Sequence, residues 1–319
     1  MEVLVPTKVV VDVPHRISGF FQPVEMESGR PIQDLAHIGS RGGGPSLTAF
    51  GHTTVELKNT TPSESSCQIF IDGEDETTEA RTTAYVFQQF LELVNEPVEV
   101  VINHDFDLPV GCGYGASGAG AIGAALGLSG VLNLPLMLSD VGRIAHLAEV
   151  MNRTGLGTVG GQMTAGFTIT TQAGFPFHVD KIIVPPGTRI ICGSFGPVST
   201  KNILGSWEWK DKIRHVGEKS VDDFLAKPTI QNFMDVARNF VSKVGMLETL
   251  GLTEVHDLIT DLNAKPIYGA SMNQLGQSVY AICTEDDAGM VMDVFRDHAV
   301  PSGPWNLEVC HQEPVLRVA

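Results

Sequence analysis

Cysteine and positive charge are scarce in this sequence, and it has no long apolar run. The five cysteines, at positions 67, 112, 192, 283 and 310, are scattered, odd in number and without CxxC spacing. That pattern excludes a disulfide framework and a zinc ribbon, and it predicts free thiols in a reducing compartment. Lys and Arg total 21 against 37 Asp and Glu, a formal net charge of −16. No basic cluster stands out, so nucleic-acid binding is not expected. No stretch approaches the roughly 18 uncharged apolar residues of a membrane span. The longest apolar run, 119–132, is glycine-rich and reads as a buried helix. The opening Met1-Glu2-Val3-Leu4-Val5-Pro6 has no basic region followed by an apolar one, which predicts no secretion signal and a cytoplasmic protein.

What is present is a core large enough for two lobes: 319 residues, 43% of them hydrophobic. Strands are expected over 3–13, 52–58, 67–71 and 98–102, with helices over 79–94, from the glycine-rich stretch to about 132, and over 140–151. After Gly166 the pattern changes to strands near 167–171, 181–184 and 189–192, helices over 220–245 and 254–263, a strand at 278–283, a helix at 286–297 and a last strand near 306–310. The mixed order predicts an α+β protein with an N-terminal lobe over 1–175 and a C-terminal lobe over 176–319.

The most informative stretch is Pro109-Val110-Gly111-Cys112-Gly113-Tyr114-Gly115-Ala116-Ser117-Gly118-Ala119-Gly120. Glycines let backbone N–H groups approach and turn toward an anion. The loop opens a helix, whose N-terminal N–H groups and dipole favour phosphate. Gly113 to Gly118 also matches GxGxxG, the dinucleotide fingerprint, but that motif should follow directly on a strand, and His104–Pro109 intervene here. A third reading is that the glycines serve close helix packing. A P-loop is excluded, because no GxxxxGK[ST] occurs.

Pro-x-x-x-Gly-x-Gly-x-Ser-Gly-Ala resembles the second signature of the GHMP small-molecule kinases. Pro14-His15-Arg16-Ile17-Ser18-Gly19 sits where that family's first motif lies, and Gly269-Ala270-Ser271-Met272-Asn273-Gln274-Leu275-Gly276 resembles the third. Within the family, archaeal pantoate kinases are the nearest in pattern. The matches are Ile17–Phe21, Gly39-Ser40-Arg41-Gly42-Gly43-Gly44, Gly113–Gly120, Ala145-His146-Leu147-Ala148-Glu149-Val150, Thr154-Gly155-Leu156-Gly157 and Ser271-Met272.

The resemblance implies a two-lobed α+β fold with the active site between the lobes, ATP and Mg²⁺ as cofactors, and a small hydroxy acid as substrate. It alone suggests a homodimer. It also assigns residues. Gly111, Gly113, Gly115, Ala116, Ser117 and Gly118 would bind nucleotide, and Ser117 and Glu149 would hold Mg²⁺, which takes one or two protein oxygens and keeps its waters. Arg16 would stabilise charge on the transferring phosphoryl group; Ser18, Arg41, His146, Arg153 and Thr158 would face the acceptor, with Lys201 a weaker candidate. His146 and Glu149 are one helical turn apart, so both can face one side. The glycines around Arg41 suggest a tight loop near a ligand, and for each of these residues the plain alternative is a solvated or packing side chain.

The chain also departs from the pantoate kinase pattern. Thr158 stands where an aspartate is usual, Thr170 where an arginine is usual, Arg16 where a histidine is usual, and Arg153 at a position that is otherwise small. Threonine cannot serve as a general base near neutral pH, so direct in-line attack without a strong protein base is expected. The site gains positive charge, which points to an acceptor more anionic than pantoate. Mevalonate 3-phosphate, phosphorylated on its 5-hydroxyl in an archaeal isoprenoid route, is the acceptor expected on this argument, with pantoate in coenzyme A synthesis as the alternative. A nucleotide-binding member without turnover and a nucleotide-cofactor oxidoreductase are the competing classes.

Overall fold

The computed structural model describes residues 6–197, 207–274 and 276–319. Among them, nine strands form a first sheet built on one very long strand, β5 (Gly39–Leu57). Its first half pairs with β2 (Phe20–Val24) and β9 (Phe167–Gln172), and its second half with β1 (Lys8–Arg16) and β8 (Glu99–Phe106). β6 (Ser66–Ile71) runs parallel to β8 and carries the short β7 (Glu74–Asp75) at the edge. β3 (Met26–Glu27) and β4 (Arg30–Pro31) form a separate small hairpin.

α1 (Arg81–Leu91) and α2 (Ala116–Val131) lie on this sheet, and α3 (Leu138–Asn152) packs on both helices. β1 alternates in the expected way, burying Val9, Val11 and Val13. α2 is buried nearly all round, and its glycines let it lie directly on the sheet. A Cβ on Gly123 would come within 2.2 Å of Thr53 Oγ1, and one on Gly127 within 2.3 Å of Val55. Close packing is therefore the role of the later glycines of this run, while the earlier ones belong to the loop before the helix.

The second sheet, ordered β12 (Gly269–Asn273), β13 (Ser278–Thr284), β11 (Thr188–Ser194), β14 (Ser302–Leu307), is antiparallel throughout. Helices α5 (Trp207–Leu225), α6 (Ile230–Val244), α7 (Met246–Thr249), α8 (Thr253–Asn263) and α9 (Ala288–Asp297) accompany it. α6 shows why such a segment is helical. Ile230, Phe233, Met234, Ala237, Phe240, Val241 and Val244 recur at helical spacing and are buried. Thr229 caps its first turn by accepting from Asn232 N–H, and Gly245 ends it in a left-handed conformation.

The mixed α+β architecture matches the expectation, with three corrections. Gly39–Gly44 is not a tight loop but the start of β5, where closely approaching backbone replaces side chains: a Cβ on Gly44 would come within 2.0 Å of Ile17 O. A short helix, α4 (Thr158–Thr164), stands where no element was expected. A division at 175/176 would cut the β9–β10 hairpin, because β10 (His178–Lys181) pairs with β9, and the terminal strand β15 (Val315–Val318) returns to pair with β1.

A fully buried histidine ties the helices to the first sheet. His104 on β8 lies between Thr53 Oγ1 at its Nδ1 (2.9 Å) and Thr83 Oγ1 at its Nε2 (3.0 Å). Burial lowers its pKa to about 4, from an ordinary 6.5. The unfolded chain therefore binds a proton that the folded chain refuses, and stability falls as pH drops from about 6.5 toward 4, by on the order of 2–3 kcal/mol for this group. Denaturant midpoints at pH 7.5 and pH 5 are expected to differ less in His104→Gln than in the wild type; an equal acid loss in both contradicts the assignment.

Candidate active site

The glycine-rich loop runs from Leu108 into α2 and is held from both lobes. Gly111, Gly113 and Gly115 all have positive φ (77°, 88° and 74°), which permits the turn. From the first lobe, the His15 ring Nδ1 and the Arg16 backbone N–H both reach Tyr114 O at 3.0 Å. From the second, Ser278 Oγ donates to Cys112 O (2.7 Å). A Cβ on Gly113 would come within 2.8 Å of Gln274 O, so the third motif packs directly on the second.

The same end of β12 grips the loop after β1. Ser18 N–H donates to Asn273 Oδ1 (3.0 Å), Gln274 N–H to Ser18 O (3.0 Å) and Gln274 Nε2 to Gly19 O (3.1 Å). All three sequence motifs, far apart in the chain, thus meet at one place. Ser18 sits in that junction through its backbone.

Gly115 is the N-cap of α2, and among the described residues no side chain caps it or claims the first-turn N–H groups. Beside this turn, Ser117 Oγ donates to Glu149 Oε1 at 2.6 Å. Glu149 is 1% exposed, on α3, and Gly155 lies against its carboxylate: a Cβ there would fall 2.4 Å from Oε2. Burial pushes the Glu149 carboxyl up to about 7, and Ser117 only partly offsets that. Among the described residues, no Lys, Arg or His pairs with it.

A buried carboxylate without a countercharge, next to an uncapped helix N-terminus, fits a cation bridging to a phosphate. The described residues hold no cluster of three or more His, Cys, Asp and Glu. The set therefore suits Mg²⁺, which needs few protein oxygens, rather than zinc.

Arg16 ends β1 with its guanidinium buried, donating from Nη1 to Thr168 Oγ1 and from Nη2 to Thr168 O (3.5 Å), and packed on Gly161 of α4. It has no acidic partner among the described residues, and burial lowers its pKa to about 10. Thr168 and Thr170 project from the same face of β9, and Thr158 opens α4 with its methyl group facing Gly115.

The other predicted residues are placed differently. Arg41 spends its guanidinium within the protein, donating to Thr171 O (3.0 Å), Gln22 Oε1 (3.0 Å) and Asp222 (3.3 Å). His146 packs edge-on against Phe177 and lies beside the turn at Leu35–His37, and burial lowers its pKa. Arg153 is exposed at the left-handed end of α3 and lines a cleft of about 270 Å³ with Glu25, Leu35, Ile38 and Leu156, apart from Ser117 and Glu149. Lys201 lies outside the described residues.

One residue of the cluster carries no sequence signal. Gln162, on α4, is fully buried and donates from Nε2 to Pro14 O (2.9 Å) and Gly115 O (3.1 Å). A lone glutamine after two glycines belongs to no motif, and only the fold brings it to the loop.

Residues 80–167, which include the glycine-rich loop, α2, α3 and α4, match the family model described as GHMP kinases N terminal domain. The chain is 32% identical over 206 residues to a pantoate kinase of Methanocaldococcus jannaschii, covering 65% of this chain and 72% of the relative. A pantoate kinase of Thermococcus kodakarensis is 28% identical over 290 residues, covering 91% and 92%. A solved structure described as a phosphotransferase related to the CoA biosynthesis pathway superposes with a TM-score of 0.81 at 25% identity, over 98% of this chain and 99% of that one. With its three motifs gathered around an uncapped helix N-terminus and a buried acid, the chain belongs to the GHMP kinase family and is an ATP-dependent phosphotransferase acting on an alcohol.

Proposed function

We propose that this chain transfers the γ-phosphate of ATP to the primary hydroxyl of a branched hydroxy acid. The observation that carries this reading is the Ser117–Glu149 pair, 2.6 Å apart beside the uncapped start of α2. In it, the loop and first-turn amides of α2 hold phosphate oxygens, and Ser117 and Glu149 hold Mg²⁺. The bound ion neutralises charge on the transferring group and orients it. Arg16 adds a fixed positive charge from the other wall. Positions 158 and 170 are threonines, so no described side chain of this wall is placed as a strong base, and the acceptor hydroxyl attacks in line as positioned.

The names of the relatives support pantoate as the acceptor. A specific feature of the wall favours a second reading. Arg16 is buried without an acid beside it, while Thr158 and Thr170 supply neither acid nor base there. A buried, unpaired cation is stabilised by an anion arriving with the ligand. Mevalonate 3-phosphate carries one anionic group more than pantoate and shares its carboxylate, branched carbon and primary alcohol. Arg153 does not strengthen this reading, since it lines another cleft.

Two experiments test these statements. Ser117→Ala and Glu149→Gln are each expected to lower kcat by about 100-fold or more. Glu149→Gln should also raise the Tm of the ligand-free protein at pH 8. A carboxyl whose pKa is raised to about 7 stabilises least once pH exceeds that value, and the amide carries no such charge. Wild-type rates in both variants, or a lower Tm in the second, contradict the site. ATP consumption with Mg²⁺ is then measured on pantoate and on mevalonate 3-phosphate in parallel. Turnover of pantoate establishes the relatives' activity here; turnover of mevalonate 3-phosphate alone establishes Arg16 as the mark of a second anion. Turnover of neither removes both acceptors.

A further inference from the structure

The amide of Gln162 is oriented without ambiguity. Both of its N–H groups are taken by backbone carbonyls, Pro14 O and Gly115 O. Its Oε1 must therefore point the other way, and there it has no hydrogen-bond partner although it is buried. An acceptor left in that state costs stability unless something supplies a positive partner. Oε1 lies directly against Gly118, where no side chain intervenes. A Cβ on Gly118 would lie 2.4 Å from Gln162 Oε1 and 3.4 Å from Glu149 Oε2. The unsatisfied Gln162 Oε1 and Glu149 Oε2, on different helices, thus both lie close to the first turn of α2, beside the Ser117 hydroxyl.

We infer that Gln162 is a positioning residue of the cation site, its Oε1 accepting from the hydration shell of the Mg²⁺ held by Ser117 and Glu149 or binding the ion itself. This rests on the reading of Ser117 and Glu149 given above. A hard cation favours oxygen donors, neutral amides included, and it keeps waters that need acceptors in the wall. Gln162 supplies such an acceptor and with the same side chain fixes the carbonyl of Gly115, so loop and cation shell are set by one residue. Gly118 is the complementary half of the device, because any side chain there would collide with Gln162 Oε1.

The test compares the affinity of the protein for a nonhydrolysable ATP analogue with and without Mn²⁺, by calorimetry. The quantity read is the gain in affinity brought by the metal. Gln162→Met keeps the length and is expected to shrink that gain by about 10-fold or more, beyond whatever the lost bond to Gly115 O does to the metal-free affinity. Gln162→Glu keeps an oxygen in place; it should retain or enlarge the gain even though it lowers Tm by setting a carboxylate against two carbonyls. A residue that only braced the fold would lower Tm and leave the gain alone, and that result overturns the inference. So does a gain that falls as far in Gln162→Glu as in Gln162→Met. If the position 162 variants do not fold, Gly118→Ala sets a methyl group against Gln162 Oε1 and displaces that oxygen from the first turn of α2, and it must shrink the gain likewise. Glu149→Gln separates the two levels: a metal gain surviving in that variant removes the Ser117–Glu149 reading itself, whereas its loss there alongside a wild-type gain in Gln162→Met removes only Gln162.

Discussion

A carboxylate buried without a countercharge is the constraint around which this protein is arranged. Placing Glu149 in the interior raises its pKa to about 7, which measures how poorly the protein alone accommodates the charge. The surroundings are built to keep it there. Gly155 and Gly118 let backbone pack closely beside it, Ser117 donates one hydrogen bond, and Gln162 fixes the adjacent loop while leaving its own oxygen unsatisfied. On the reading proposed above, a cation would complete such a site and link the stability of the apo protein to its ligand through mass action.

The second requirement is that the phosphate loop hold one shape. Neither lobe does this alone. Tyr114 O is fixed by the end of β1, Cys112 O by Ser278, and Gly115 O by Gln162. The end of β12 also clasps the loop at Ser18 and Gly19, so a change in how the lobes meet is transmitted directly to the glycine-rich turn. Catalysis of phosphoryl transfer depends mainly on positioning and on fixed charge, and both are supplied here by backbone carbonyls and amides that distant segments hold in register.

Much of this was legible in the sequence because it depends on local chemistry. The glycine loop opening an apolar helix, with Ser117 within it, can be read from composition and spacing, while Glu149 on the following helix was picked out by the family resemblance. What was not legible depends on who sits opposite whom. Gly39–Gly44 reads as a loop because glycine usually breaks strands; here Phe20, Phe21 and Ile17 approach so closely that only glycine fits. α4 is too short and too glycine-rich to announce itself, yet it delivers Gln162 and Thr158. Arg41, Arg153 and His146 look like ligand contacts by type, and the fold directs them to Asp222, to a separate cleft and to Phe177.

The most direct test of this account is a crystal structure of the protein with Mg²⁺ and a nonhydrolysable ATP analogue. The account predicts the phosphates on the loop and first turn of α2, with the ion between them and the oxygens of Ser117 and Glu149. An ion bound to the phosphates but out of reach of both side chains, or phosphates seated elsewhere, would contradict it.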